Sequence, residues 1–245
     1  MGETESRERG FTLIEIVFVL AIIVVLASLI MPVSFSRLRD AELVRANADV
    51  KAIAVALISF DSDLGHFPAC DSNNCNPLDS SNETLRFLAF GNGIGDIRDT
   101  FPLDDPSLVN KWNLTSPINL SVIPARNNGM NHLGRNDPNA DNIASSTVVG
   151  EMDYNEGNNG SNFKRWKGPY LSNVSADPWG HAYIAHVGAM EKNGIPVVIS
   201  SLAPFLKAQG WILSAGPDGI LQTSPTDTVL AGDDIGFILF TRKPG

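Results

Sequence analysis

The sequence is poor in cysteine and in basic residues, and each shortage excludes a class of protein. Two cysteines in 245 residues cannot build a scaffold held by several disulfides. Lysine and arginine number 18 against 27 aspartate and glutamate, a formal net charge of -9. No nucleic-acid partner is expected, because phosphate neutralisation needs a basic face. The hydrophobic fraction of 43% is too high for a disordered chain, which leaves an acidic globular protein.

Charge is almost absent from residues 11–31, FTLIEIVFVLAIIVVLASLIM, which contain one ionisable side chain, Glu15, and no glycine or proline. A helix of this length is roughly 30 Å long and matches the hydrocarbon core of a bilayer. A secretory signal peptide is the alternative, but the apolar stretch is too long and no A-x-A-like site follows it. Arg7 and Arg9 precede the stretch and favour a cytoplasmic N-terminus.

The residues around this stretch form a recognisable pattern. A short charged leader ends at Gly10, the sequence FTLIE follows at 11–15, and the apolar helix contains Pro32. This pattern resembles the N-terminus of type IV pilin and pseudopilin precursors. The resemblance implies that prepilin peptidase cuts between Gly10 and Phe11 and methylates the new amino group of Phe11.

Glu15 is unusual by its position alone. An ionisable group inside a membrane span costs at least about 2.5 to 3.5 kcal/mol on insertion scales, so something should compensate it. The freed amine of Phe11 on a neighbouring subunit is such a partner if that subunit is displaced along a common axis. Contacts of this head-to-tail kind build open filaments. The alternative is a Glu15 side chain that reaches the membrane edge without a partner.

The helical pattern continues beyond Pro32. Apolar residues recur at spacings near three and four, which predicts an amphipathic helix packed on a domain: Leu38, Leu43, Val50, Ile53, Leu57 and Phe60. Pro32 removes one backbone donor, so it should bend or loosen the helix without ending it.

Residues 65–163 are rich in Asn, Asp, Ser, Gly and Pro, and predict a large irregular insertion with one short helix near Glu83 to Phe90. The insertion contains Cys70 and Cys75. A local disulfide is the first interpretation, because the domain should lie outside the cytoplasm. Two free thiols are the second, and a zinc site that recruits His66 is the third.

In residues 164–245, short β-branched and aromatic segments alternate with turn sequences, and this pattern predicts an antiparallel sheet. The fold class is therefore α+β, a pilin-like fold with a long N-terminal helix packed on a small antiparallel sheet. The predicted organisation has five parts: leader 1–10, transmembrane and assembly helix 11–32, amphipathic helix 33–64, insertion 65–163 and C-terminal β region 164–245.

The β region resembles the major pseudopilin family of type II secretion through the segments KGPYL at 167–171, DPWG at 177–180, SAGPDG at 214–219 and DDI at 233–235. The resemblance implies a calcium site with side-chain ligands Asp218, Asp233 and Asp234 and a main-chain carbonyl near Ala215. The loop between Asp218 and Asp233 is longer than the family pattern and offers Asp227 as an extra ligand. Calcium suits this place, because it takes six to eight hard oxygens. The alternative is that these aspartates are turn residues only.

The resemblance implies a structural filament subunit and not an enzyme. Its implied partners are further copies of the chain, prepilin peptidase, minor pseudopilins and an inner-membrane assembly platform. Its implied location is the bacterial inner membrane, with a single span and the C-terminal domain in the periplasm. One alternative is a type IV pilus subunit that forms surface fibres. The other is a membrane-anchored hydrolase, but His181 and His186 do not form H-E-x-x-H and no G-x-S-x-G is present.

Overall fold

The computed structural model describes residues 11–68, 87–91, 101–112, 127–138, 154, 165–190 and 209–240. It divides into two compact units, one ending at Leu43 and one beginning at Val44. The helix α1, Leu13–Leu64, contributes to both. The backbone is helical through residue 32, so the prediction that Pro32 does not end the helix is confirmed.

In the first unit, every side chain from Phe11 to Met31 is exposed. The helix is long and apolar enough to cross a membrane. A core helix of a soluble domain can have the same length and composition, but its side chains would be buried. The exposed apolar surface therefore fits a helix that lies in lipid or against other chains.

In the second unit, α1 buries one face. The buried side chains recur at three- and four-residue spacing, as the sequence predicts: Ala46, Val50, Ile53, Ala54, Leu57, Phe60 and Leu64. Leu38 and Leu43, which the same pattern assigns to this face, are exposed. Burial of the predicted amphipathic helix therefore begins at Ala46.

The main sheet contains the strands β1 (Leu88–Phe90), β3 (Tyr183–Ala185), β4 (Gly210–Ser214) and β6 (Ile235–Phe240). They lie in the order β1-β3-β4-β6, and neighbouring strands are antiparallel. A separate parallel pair joins β2 (Leu103–Asp104) to β5 (Ile220–Leu221). The predicted α+β class, with a long helix and a small antiparallel sheet, is confirmed.

Side chains alternate between the two faces of the sheet and build two apolar clusters. Tyr183 and Ile212 join the cluster that contains α1. Ile184 and Trp211 face the other way and join a cluster with Trp112. The sheet is thus covered by α1 on one face and by residues of the predicted insertion on the other.

The predicted short helix near Glu83 to Phe90 is wrong at Leu88–Phe90, which form the strand β1 and pair with β3. Leu88 and Phe90 enter one apolar cluster and Ala89 enters the other. A short apolar run that is buried on both sides has no period that separates a strand from a helix, and sheet pairing decides the outcome. Residues 83–86 lie outside the described residues.

Polar contacts fasten α1 to the β region. The buried Tyr183 hydroxyl donates to Asp49 Oδ2 at 2.9 Å, and Arg45 donates to the carbonyl of Ala176 at 2.8 Å. Nearer the end of the helix, Asp63 accepts from the Lys167 ammonium and the Tyr170 hydroxyl. Lys167 and Tyr170 belong to the KGPYL segment, so this segment has a defined structural role as an anchor for α1.

Candidate functional site

The start of α1 is one candidate site, and Glu15 lies at its centre. Thr12 is the residue before the helix, and Glu15 is the third residue within it. Glu15 Oε2 accepts from the Thr12 backbone N–H at 2.9 Å and from the Thr12 hydroxyl at 2.8 Å. The Glu15 N–H donates to the Thr12 hydroxyl at 3.4 Å. This is a capping box, in which two otherwise unpaired backbone donors are satisfied reciprocally.

Thr12 was missed as a site residue by the sequence interpretation, although the T-x-x-E spacing at the start of an apolar run is a readable signal for a capping box. Both of these hydrogen bonds to the carboxylate are accepted by Oε2, and the Glu15 side chain is exposed. Within a single chain, Glu15 is therefore held by Thr12. Its pairing with a neighbouring Phe11 stays a prediction, and Gly10 lies outside the described residues.

The second candidate site is the loop that carries the predicted calcium ligands. Gly216–Asp218 form a short 3-10 turn after β4, and Asp233 and Asp234 precede β6. The turn rests on the DPWG segment, because the Ser214 hydroxyl donates to Asp177 Oδ2 at 2.6 Å. The backbone of Gly216 lies against the backbone of Asp233, so the two ends of the loop meet.

One side chain that the sequence interpretation did not select, Gln222, contacts all three predicted ligands. Its amide nitrogen donates to Asp218 Oδ2 at 2.7 Å, and its amide oxygen accepts from the Asp233 N–H at 3.0 Å. Its backbone N–H donates to Asp234 Oδ2 at 3.0 Å. Gln222 therefore connects the three aspartates to one another through hydrogen bonds.

Asp234 is the most constrained of these aspartates. It is 6% exposed, and its Oδ2 also accepts from the Thr223 N–H at 2.6 Å. Its other oxygen, Oδ1, is buried without a hydrogen-bond partner. Burial raises the pKa of Asp234 to about 6, against the hydrogen bonds from Thr223 and Gln222 that lower it. A buried carboxylate oxygen without a partner is costly, and a cation would compensate it.

The three carboxylates are not assembled as a cage. In the part of the chain that the structure describes, no three His, Cys, Asp or Glu side chains are grouped closely enough to hold a metal ion. The Asp218 carboxylate is engaged by Gln222 and by the Ile220 N–H. Asp227 closes a turn by accepting from the Ser224 N–H at 2.8 Å. The donors fit calcium by their chemistry, and Asp234 Oδ1 is the oxygen that lacks a partner.

The remaining residues are the two histidines weighed for the hydrolase alternative and the two cysteines. His181 lies against Gly219, and His186 lies against the carbonyl of Gln209 and the ring of Trp112, so the two histidines have separate surroundings. Cys70 and Cys75 lie outside the described residues, and their three interpretations stay open.

A substitution at Gly216 tests how closely the loop ends approach. Gly216 has a φ of 66°, and a side-chain carbon there would collide with the Asp233 carbonyl oxygen. Gly180 is the matched control, because its φ is 92° but the space around it is open. Gly180→Ala should lower the free energy of unfolding by about 1 to 2 kcal/mol, because of the left-handed backbone alone. We expect Gly216→Ala to lower it by about 1 to 3 kcal/mol more, measured by urea unfolding of the detergent-solubilised protein. Equal losses in the two variants would contradict the close approach.

Sequence similarity to known proteins is evidence on function that does not depend on the geometry of the site. Residues 6–31 match the family model of the prokaryotic N-terminal methylation motif. The chain is 41% identical over 63 residues to the type II secretion system core protein G of Pseudomonas aeruginosa, a match that covers 26% of this chain and 44% of that protein. It is 40% identical over 63 residues to the core protein G of Escherichia coli K12, with coverage of 26% and 43%.

A third relative, the core protein G of Pectobacterium carotovorum, is 34% identical over 70 residues, with coverage of 29% and 45%. The chain thus spans less than half the length of each of these curated relatives. No solved structure matches the chain. The resemblance to type IV pilin-like proteins, and to the major pseudopilin among them, is confirmed by the family model and the relatives.

Proposed function

We propose that the chain is a non-enzymatic filament subunit that polymerises into a periplasmic pseudopilus and drives type II protein secretion. The observation that carries this function lies at the N-terminus: the methylation motif over residues 6–31 includes the apolar stretch of residues 11–31, whose side chains are exposed. An exposed helix of this composition needs lipid in the monomer and other chains in an assembly.

In this scheme the chain enters the inner membrane with one span, and prepilin peptidase removes the leader after Gly10. The new amine of Phe11 lies four residues before Glu15 in the sequence. Glu15 is held by Thr12 in the single chain and offers Oε1 to the amine of a neighbouring subunit. The chain leaves the membrane through an assembly platform and stacks along its helix, with the β region in the periplasm and minor pseudopilins as further partners.

Calcium would be held in the loop before β6. Asp234 Oδ1, with the carboxylates of Asp218 and Asp233, would supply hard oxygens, and a carbonyl near Ala215 would add a main-chain ligand. The ion would neutralise a buried carboxylate whose pKa is raised by burial. Gln222 would have to release the Asp218 carboxylate for the three side chains to converge.

The test of the function separates a pseudopilus from a surface pilus. In a deletion strain we expect the extracellular protein profile to lose secreted proteins, while surface fibres stay unchanged in the electron microscope. Complementation with the intact gene should restore the profile. Lost fibres with normal secretion would instead make the chain a type IV pilus subunit.

A further inference from the structure

The lengthened loop between Asp218 and Asp233 contacts residues 101–112 of the predicted insertion. Residues 101–112 lie along residues 219–227 through the parallel pair of β2 and β5. The Leu103 N–H donates to the carbonyl of Gly219 at 2.9 Å, and the Asp105 N–H donates to the carbonyl of Leu221 at 3.1 Å.

Side chains extend this contact beyond the short strands. The Asn110 amide donates to the Thr226 hydroxyl at 3.2 Å, and the Ser224 hydroxyl donates to the carbonyl of Asn110 at 3.2 Å. The Trp112 indole N–H donates to the carbonyl of Thr223 at 2.7 Å. Five hydrogen bonds thus connect two segments that lie more than a hundred residues apart in the sequence.

Trp112 gives the contact a hydrophobic centre. Its side chain is 1% exposed and packs in the same apolar cluster as Leu221 and the outer face of the sheet. Burial of an indole supplies far more apolar contact than a surface loop would make by itself. The adjacent N–H of Thr223 donates to Asp234, so Trp112 is connected through Thr223 to the buried carboxylate.

The opposite side of the loop is fixed by β4 and the residue before it. The Gln209 N–H donates to the carbonyl of Pro225 at 2.8 Å, and the Trp211 indole donates to the carbonyl of Asp227 at 3.0 Å. Residues 219–227 are therefore fastened along both sides by protein donors. None of these bonds needs a cation.

We propose that residues 101–112 are a strap that holds the loop of residues 219–227 in its folded position whether or not a metal ion is bound there. The strap gives part of the insertion a defined task. It keeps the loop, which includes Gln222 and Thr223, positioned beside Asp234 before any ion arrives.

Hydrogen exchange measured by mass spectrometry tests the strap in the full chain, solubilised in detergent with a chelator present. Leu103→Pro removes the N–H that bonds Gly219, and the Leu103 side chain is exposed, so no core cavity forms. Leu103→Ala is the matched control that keeps the N–H. Trp112→Phe keeps an aromatic ring and removes the bond to Thr223.

We expect peptides covering residues 219–227 to exchange about fivefold faster in Leu103→Pro and in Trp112→Phe than in the wild type or Leu103→Ala. Amides of residues 50–60 in α1 should keep their protection, which shows that the domain stays folded. If these α1 amides lose their protection in Leu103→Pro, the domain of that variant is unfolded. Exchange of residues 219–227 in Trp112→Phe, compared with the wild type, then tests the strap. Equal exchange in Leu103→Pro and Leu103→Ala, with α1 intact, would overturn the strap. A wild-type loop that is protected only after calcium is added would also overturn it.

Discussion

A Glu15→Ala variant is expected to be processed normally and to form no filaments. The carboxylate costs at least about 2.5 to 3.5 kcal/mol inside a bilayer, so its removal makes the membrane-bound state more favourable. The variant also loses the acceptor that would pair with the Phe11 amine of a neighbouring subunit. Both effects act against extraction from the membrane. We expect processed subunits in the membrane fraction and at least about a tenfold loss of sheared filaments by immunoblot and electron microscopy.

Three further variants show whether charge pairing is the cause. Glu15→Gln keeps a side chain that can accept from Thr12 in a capping box but removes the charge. If it fails like Glu15→Ala, charge pairing is required. Asp40→Ala, an exposed acid on the same helix outside the apolar stretch, should assemble normally. Gly10→Ala should stay full length and marks the unprocessed band. Normal filaments from Glu15→Ala would remove the pairing from the assembly mechanism.

The helix and the sheet could be predicted from the sequence because their signals are local and periodic. The apolar stretch of residues 11–31 and the three- and four-residue spacing from Ala46 onward identify α1 without reference to the rest of the chain. The turn sequences DPWG and SAGPDG lie where strands end, at either side of β3 and β4. Such features depend on neighbours in the sequence, and reading the sequence captures them.

The contacts of the loop could not be predicted in the same way. Gln222 is an ordinary polar residue in sequence, and its role depends on Asp218 and Asp233, which only folding brings beside it. β2 has two residues and exists because β5 lies next to it. Trp112 looks like an isolated aromatic residue in a polar insertion, yet it is fully buried. Elements that long-range pairing creates have no periodic signal of their own.

Calcium is expected to raise the melting temperature of the detergent-solubilised protein by roughly 5 to 10 °C over the chelated protein. Free calcium at about a hundredfold above its dissociation constant would stabilise the fold by about 2.7 kcal/mol, and a domain of 150 to 250 residues shifts by about 2 to 4 °C per kcal/mol. The buried Asp234 Oδ1 without a partner gives the ion a defined electrostatic role. Scanning calorimetry with calcium and with chelator measures the shift.

Variants at two aspartates distinguish ion binding from general destabilisation. Asp218→Ala should melt in calcium at the temperature of its own chelated sample, because one proposed ligand is gone. Asp63→Ala is the control: it loses the bond to Lys167, so both melting temperatures should fall together and the calcium shift should persist. If the wild-type protein shows no calcium shift, the aspartates are turn residues. Gln222 and Thr223, rather than an ion, then hold Asp234 in place, and the hydrogen bonds of the strap account for the folded loop.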